Sequence, residues 1–203
     1  MTGSQTVVGT NANVPSAAVI KNAAGEDVTA SYNITYTNGK LEVTPKALTI
    51  TADSGEKVYD GTALTKNSYT NGDLATGDSI DSVTVTGSQR TAGTSANVPS
   101  AAKIVNAAGT DVTASYTITY VNGELKVTPK AVTITADSDN KVYDATALTK
   151  NSSTNTALAE GDSIESVTVT GSQTIVGTSA NVPSAAVIKN TAGEDVTTSY
   201  EIT

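Results

Sequence analysis

The sequence predicts a mainly β protein, built as tandem small units of immunoglobulin-like β-sandwich type in a rod-like array. Three observations predict this. First, short stretches alternate apolar and polar residues, as in Leu48-Thr49-Ile50-Thr51, Val83-Thr84-Val85-Thr86 and Glu124-Leu125-Lys126-Val127. Period-two alternation rich in β-branched residues is the mark of a half-buried strand. Second, no stretch sustains a 3.6-residue apolar period beyond one or two turns, which disfavours long helices. Third, the chain repeats itself at a fixed stride. Gly3, Gly87 and Gly171 each open Gly-Ser-Gln, 84 residues apart, and Pro15, Pro99 and Pro183 keep the same interval, as do Tyr32, Tyr116 and Tyr200. A fixed period is the signature of a tandem array.

The stride divides the chain. Residues 1–46 are the back part of a unit, 47–130 a complete unit, and 131–203 a unit lacking its last strand. The phase 47–130 keeps the closing segment inside one unit; the alternative phase, 87–170, would place it in mid-domain. With the first phase the link between units is Thr128-Pro129-Lys130. Proline fixes φ and a link this short permits few orientations, so neighbouring units are predicted to be stiffly coupled. Met1-Thr2 stand directly before a mid-repeat glycine, so the chain reads as a window on a longer polymer of repeats. Any leader or anchor would then lie outside it.

Within one unit the elements follow in order. Residues 47–51 are a strand, and Lys57-Val58-Tyr59-Asp60-Gly61 a strand end running into a turn. Glycines and aspartates break 70–79 into loop, and 83–86 and 98–106 are strands. Asp111 is placed to cap a single helical turn over 111–115. Asn122-Gly123, between the 116–121 and 124–128 runs, predicts a hairpin with a type I′ turn, because both residue types tolerate the left-handed conformation. Asn38-Gly39 is the same signal one unit earlier. The predicted core is Leu48, Ile50, Val58, Leu64, Leu74, Ile80, Val83, Val85, Val98, Ile104, Val112, Tyr116, Ile118, Tyr120, Leu125 and Val127. The alternative fold is a β-grasp-like α+β unit, with 109–116 or 70–79 as a short helix.

Composition narrows the function. A unit of this size buries only about 60–65% of its unfolded surface, so its stability is modest. The chain has no cysteine and no histidine, which removes disulfides and makes a structural zinc site improbable. The net charge is −8, from 20 acidic and 12 basic residues. That balance disfavours nucleic acid and anionic membrane surfaces as partners. Aromatic residues make up 4%, all tyrosine, so stacking platforms for bases or sugars are scarce. No segment is apolar enough, over about 20 residues, to span a membrane as a helix.

Lys57-Val58-Tyr59-Asp60-Gly61 and Lys141-Val142-Tyr143-Asp144-Ala145 are the most distinctive short strings. With TITADSGEKVYDGTALT before, GDSIDSVTVTG between and SYTITYVNGELKVTP at the close, they resemble the YDG/MBG-type tandem repeats of bacterial cell-surface, adhesin-like proteins. The resemblance covers nearly the whole chain. It implies stalk or adhesin modules of secreted proteins, extracellular on a bacterial surface, with no enzymatic activity and no cofactor. The motif residues it marks, Tyr59, Asp60, Gly61, Tyr143, Asp144, Asn122, Gly123 and Pro129, are structural. Tyr59 is expected to pack at a strand end and Asp60 to cap a turn. Ala145 replaces Gly61 in the next copy, which argues against a need for positive φ at that position.

Other chemistries have weak signals. Asp53, Asp60, Asp73, Asp78 and Asp81 lack the spacing of a calcium loop, which brings six to eight oxygens together. A lysine–asparagine isopeptide cross-link would draw on Lys57/Lys141, Lys66/Lys150 and Asn106/Asn190. The asparagine of the closing strand is not kept, however: Asn33 becomes Thr117 and Glu201. Nucleophilic catalysis has neither histidine nor cysteine to work with.

The leading expectation is a non-enzymatic spacer whose partners are its own neighbouring repeats. A second is a module that binds host glycan or protein; its nearest candidate contact, Tyr69, becomes Ser153 in the next unit. A third is a head-to-tail filament, in which Tyr36–Lys46 completes the open last unit of another copy by strand addition.

Overall fold

A computed structural model describes all 203 residues, and the chain is mainly β. Its first eight strands are β1 (Gly9–Asn13), β2 (Gly39–Val43), β3 (Lys46–Ala52), β4 (Gly55–Val58), β5 (Tyr69–Asn71), β6 (Ser79–Thr86), β7 (Gly93–Val105) and β8 (Tyr116–Val121). The remaining seven are β9 (Gly123–Thr128), β10 (Lys130–Val132), β11 (Ile134–Ala136), β12 (Ser153–Asn155), β13 (Ser163–Thr170), β14 (Val182–Lys189) and β15 (Tyr200–Ile202). Helical structure is confined to single 3-10 turns at Thr29–Ser31, Thr113–Ser115 and Thr197–Ser199. Of the two segments proposed for a short helix, 109–116 therefore supplies one turn. The other, 70–79, contains the end of strand β5 and no helix.

The strands form several small sheets: β1-β2, β5-β3-β8, β4-β9-β7-β6, β10-β15, β11-β12 and β13-β14. Two pairings are parallel, β4 with β9 and β10 with β15. The hairpin expected at Asn122-Gly123 does not form. β8 lies in the sheet of β3, whereas β9 pairs antiparallel with β7 and parallel with β4. Gly123 is needed for proximity, since a Cβ there would stand 2.5 Å from the carbonyl oxygens of Ala52 and Asp53. The dipeptide marks a change of sheet, because the long-range partners of 116–121 and 124–128 differ.

Two compact units emerge, each gathered from separate stretches of chain. The first holds Met1–Ile50, Asn71–Thr84 and Ser100–Tyr120; the second holds Thr51–Thr70, Val85–Pro99 and Val121–Thr203.

In the first unit Leu48, Ile50, Ile104 and Tyr116 are buried, as their alternation predicts. Asp111 accepts the Thr113 amide at 2.9 Å, and the 3-10 turn Thr113–Ser115 follows. Thr113 Oγ1 in turn receives the Ile104 amide. Tyr120, expected in the core, is exposed on one side, and its hydroxyl accepts the Ala102 amide at 2.8 Å. That amide follows Ala101, which has φ +50° within β7. The equivalent Ala185 has φ +47°, and there the pairing of β13 with β14 slips, from Ser166↔Val187 to Thr168↔Ser184. An extra residue in left-handed conformation is the geometry of a β-bulge.

In the second unit the core joins Tyr59, Val127, Val132, Ala159, Ile188, Val196 and Tyr200. Two expected core residues face outward, Val58 and Val98. The strand period explains both. Tyr59 is buried beside Val58, and Asn97 and Pro99 are buried on either side of Val98. One inward position is therefore polar. Asn97 is fully buried and its Nδ2 donates to the carbonyls of Asp53 (2.9 Å) and Lys66 (2.8 Å). Asn181 repeats these bonds on Asp137 and Lys150.

Candidate functional site

The motif loop is assembled from β4 and the turn that follows it. The Tyr59 amide donates to the Thr128 carbonyl at 2.8 Å, which fixes the loop against the end of β9. Asp60 accepts from the Thr62 amide and hydroxyl and from Lys57 Nζ, the last at 2.6 Å. The hydrogen bond from the Lys57 ammonium, followed by those from Thr62, lowers the Asp60 carboxyl to about 2. Asp60 therefore caps the turn, as expected from its sequence position. Gly61 has φ +81° and Ala145 has φ +63°. The left-handed conformation is thus kept in both copies, against the inference drawn from the substitution; the loop geometry imposes it, and the alanine carries it at a cost.

Tyr59 turns away from this polar turn. It is 2% exposed, and its hydroxyl donates to Asp162 Oδ2 at 2.9 Å. The hydroxyl of Tyr200 donates to the same oxygen at 2.6 Å while accepting the Ala159 amide at 2.9 Å. Burial, and next the neighbouring Asp162 carboxylate, push the Tyr59 phenol up to about 12 and raise the Tyr200 phenol as well. One further hydrogen bond and one close approach join the same two stretches of sequence. The Ala92 amide donates to Ser199 Oγ at 3.1 Å, and Gly61 packs close to the Glu160 carbonyl and the Ala159 methyl. Residues of 47–130 and of 131–203 thus share one core within the second unit. Their junction joins two tyrosines, a carboxylate and a serine by hydrogen bonds beside a shared apolar core.

The second copy of the motif is placed differently. Lys141 and Thr146 hold Asp144 as Lys57 and Thr62 hold Asp60, and its carboxyl is likewise held far below the usual range, first by Lys141. Tyr143, however, is 60% exposed and Val142 90% exposed. The motif therefore specifies the turn by itself, and the burial of its tyrosine depends on what packs against it. Pro129 is exposed between β9 and β10, and Asn122 is exposed between β8 and β9. Neither joins the cluster.

Asp162, Tyr200 and Ser199 are the junction residues that motif reading missed. Their signal was the recurrence of Gly-Asp at 77–78 and 161–162, and of Ser-Tyr at 115–116 and 199–200. In the first unit Asp78 and Tyr116 make the same bond, at 2.6 Å.

The other candidate chemistries are dispersed. Asp53 receives Ser68, Asp78 receives Tyr116 and Asp81 pairs with Lys103. Lys57 is engaged by Asp60 and Thr62, while the Asn106 side-chain oxygen accepts the amides of Ala108 and Thr110. No cluster of three acidic side chains with metal-binding geometry forms.

One concavity stands out, a groove of about 660 Å3 between 136–150 and 171–181. It is lined on one side by Asp139, Asn140 and Lys141 and on the other by Gly177, Ser179 and Asn181. No helix in the structure is long and apolar enough to cross a membrane. No family model, curated protein or solved structure matches the chain.

Proposed function

We propose that this chain is a non-enzymatic structural spacer: a run of repeats that extends an extracellular protein of a bacterial surface. The cellular setting rests on the resemblance of the Tyr-Asp-Gly and closing motifs to surface-protein repeats. The spacer role rests on one observation, the junction where Tyr59 and Tyr200 meet on Asp162. The residues most carefully arranged in this chain act on one another across successive repeats. A shared buried core and shared hydrogen bonds couple neighbours, and nearest-neighbour coupling is what gives repeat proteins their cooperative stability.

A screen of the 203-residue chain against glycans, mucins and host-surface proteins tests this reading. A spacer gives no saturable binding. Saturable binding to any of them, abolished by substitutions at exposed tyrosines such as Tyr32 or Tyr143, would replace the spacer with a receptor-binding module. Hydrogen exchange supplies the complementary measurement. The Ala92 amide, held by Ser199 of the following repeat, exchanges slowly if successive repeats are coupled, and rapidly if they are beads on a loose string.

A further inference from the structure

Oxidation has few places to act in this chain. It holds no cysteine and no tryptophan, one methionine and eight tyrosines. Sulfur, a common target of mild oxidants, is confined to Met1, so the phenols are the main source of single electrons.

Among the tyrosines one pair has its rings in contact, Tyr59 with Tyr200. Their hydroxyls both donate to Asp162 Oδ2, which draws the hydroxyl ends, and the Cε carbons beside them, towards one point. The planes are crossed and the centroids are 5.4 Å apart. Two phenols joined through Cε form a twisted biaryl, so crossed rings are near the shape of that product. Leu64, Leu158 and Ile164 pack against the core that encloses the pair, and close packing keeps both rings in place.

Asp162 supplies the second requirement. Removing an electron from a buried phenol leaves a cation that an apolar core cannot stabilise, unless the hydroxyl proton leaves as well. The carboxylate already accepts that proton's hydrogen bond from each ring. Asp162 is half-buried, so it passes one proton to solvent and is free to take the next. Tyr116 has such a carboxylate, Asp78 at 2.6 Å, but no ring against it. Tyr32 and Tyr143 are exposed. Only at residues 59 and 200 do ring pair and carboxylate meet.

We propose that Tyr59 and Tyr200 are a site of oxidative modification, where a one-electron oxidant, such as a peroxide-derived radical, couples them into dityrosine. Each ring gives one electron to the oxidant and its hydroxyl proton to Asp162, leaving two neutral phenoxyl radicals side by side. A bond forms between one Cε of each ring. The hydrogens on those two carbons then move as protons to the two oxygens and restore the hydroxyls. In sum two electrons pass to two equivalents of oxidant and two protons to solvent. The new bond ties one repeat to the next across the junction, and a covalent link of this span constrains the unfolded chain.

The test exposes the dilute 203-residue chain to a brief flash of light with tris(bipyridyl)ruthenium and persulfate, a source of one-electron oxidant. The expected product is a monomer lighter by two hydrogens, with the blue fluorescence of dityrosine. Tryptic digestion gives residues 58–66 joined to residues 190–203, each of which holds a single tyrosine. The linked chain unfolds at higher denaturant concentration than the untreated one. Asp162→Asn keeps an oxygen for the hydroxyls but takes no proton, and lowers the yield of this linked pair several-fold. Oxidation of exposed tyrosines such as Tyr32 and Tyr143 without the 59–200 link overturns the proposal, and the wild-type chain alone decides that point. The proposal is equally overturned by a yield that is no lower in the urea-unfolded chain, or by one that Asp162→Asn leaves unchanged.

Discussion

The ring of Tyr59 meets the ring of Tyr200 edge-on, with centroids 5.4 Å apart and planes at 79°. Their hydroxyls converge on one oxygen of Asp162. An aromatic pair in this geometry contributes about 0.5–1.5 kcal/mol beyond its buried area. The two rings come from different copies of the repeat, so this energy is available only when both copies are folded.

Removing the hydroxyl alone isolates the polar part. Tyr59→Phe is expected to destabilise the chain by about 1.5–3 kcal/mol, the usual contribution of a hydrogen bond to a charged group. The same change at the exposed Tyr143 shifts stability by less than about 0.5 kcal/mol. Denaturant unfolding of the two variants side by side measures the contrast. Equal effects would mean that the hydroxyl does not anchor the junction.

Alkali should open this junction. The Tyr59 phenol is raised in the folded chain to about 12, from an unfolded value near 10. The stabilisation is therefore complete below about pH 10 and is lost as pH rises through about 12. Tyrosinate absorbance is the readout. Tyr59 ionises above its ordinary value, together with the loss of β-sheet circular dichroism. Ionisation of Tyr59 near its ordinary value, with the sheet signal kept, would contradict the buried arrangement.

Acid acts on the turn instead. Asp60 is lowered to about 2, principally by Lys57, so its contribution is present above about pH 4 and is lost as pH falls through about 2. Its side chain is 54% exposed, so solvent screening keeps the contribution small. Carboxyl titration by NMR is the measurement. Lys57→Met should return Asp60 most of the way to the ordinary range, with Thr62 holding back the remainder.

The turn also sets a glycine–alanine contrast. Gly61→Ala is expected to cost about 1–2 kcal/mol, because φ is +81° and the new methyl would lie 3.3 Å from the Glu160 carbonyl. Ala145→Gly relieves the strain already present in the second copy, offset by a more flexible unfolded chain, for a net gain of up to about 1 kcal/mol. Opposite signs in thermal unfolding are the expected result.

Gly123→Ala probes the crossing of β9 past Ala52 and Asp53. A methyl 2.5 Å from two carbonyl oxygens forces the backbones apart, at about 1–3 kcal/mol. If Gly123 served only as a turn residue, the cost would fall below that range and the Ala52–Asp53 amides would keep their hydrogen-exchange protection.

Much of the fold was legible in local pattern. Leu48, Ile50, Leu125 and Val127 alternate as buried strand residues do, and the structure buries them. The capping role of Asp60 and the single turn after Asp111 followed from side-chain chemistry within two or three residues. Strand pairing was not legible. Asn122-Gly123 carries a hairpin signature, but the partner of each flanking strand lies far away in sequence, where the turn has no influence. The phase of β4 was also hidden: whether Val58 or Tyr59 faces inward depends on Asp162 and Tyr200, supplied by the next copy. Asn97 was missed because a composition-based core contains no polar residue, whereas the carbonyls of Asp53 and Lys66, just outside the strands, take their partner from a buried side-chain donor.

The parallel pairing of β10 with β15 has a mechanical consequence. The chain enters at Lys130 and leaves beyond Ile202, and these two strands point the same way. The ladder continues through Thr203, whose amide reaches Val132 at 2.9 Å and whose carbonyl takes the Ile134 amide at 2.8 Å. Tension applied at the two ends drags the strands past each other in opposite directions. The inter-strand bonds are then loaded in shear and must fail together, whereas a hairpin pulled from its open end unzips one bond at a time.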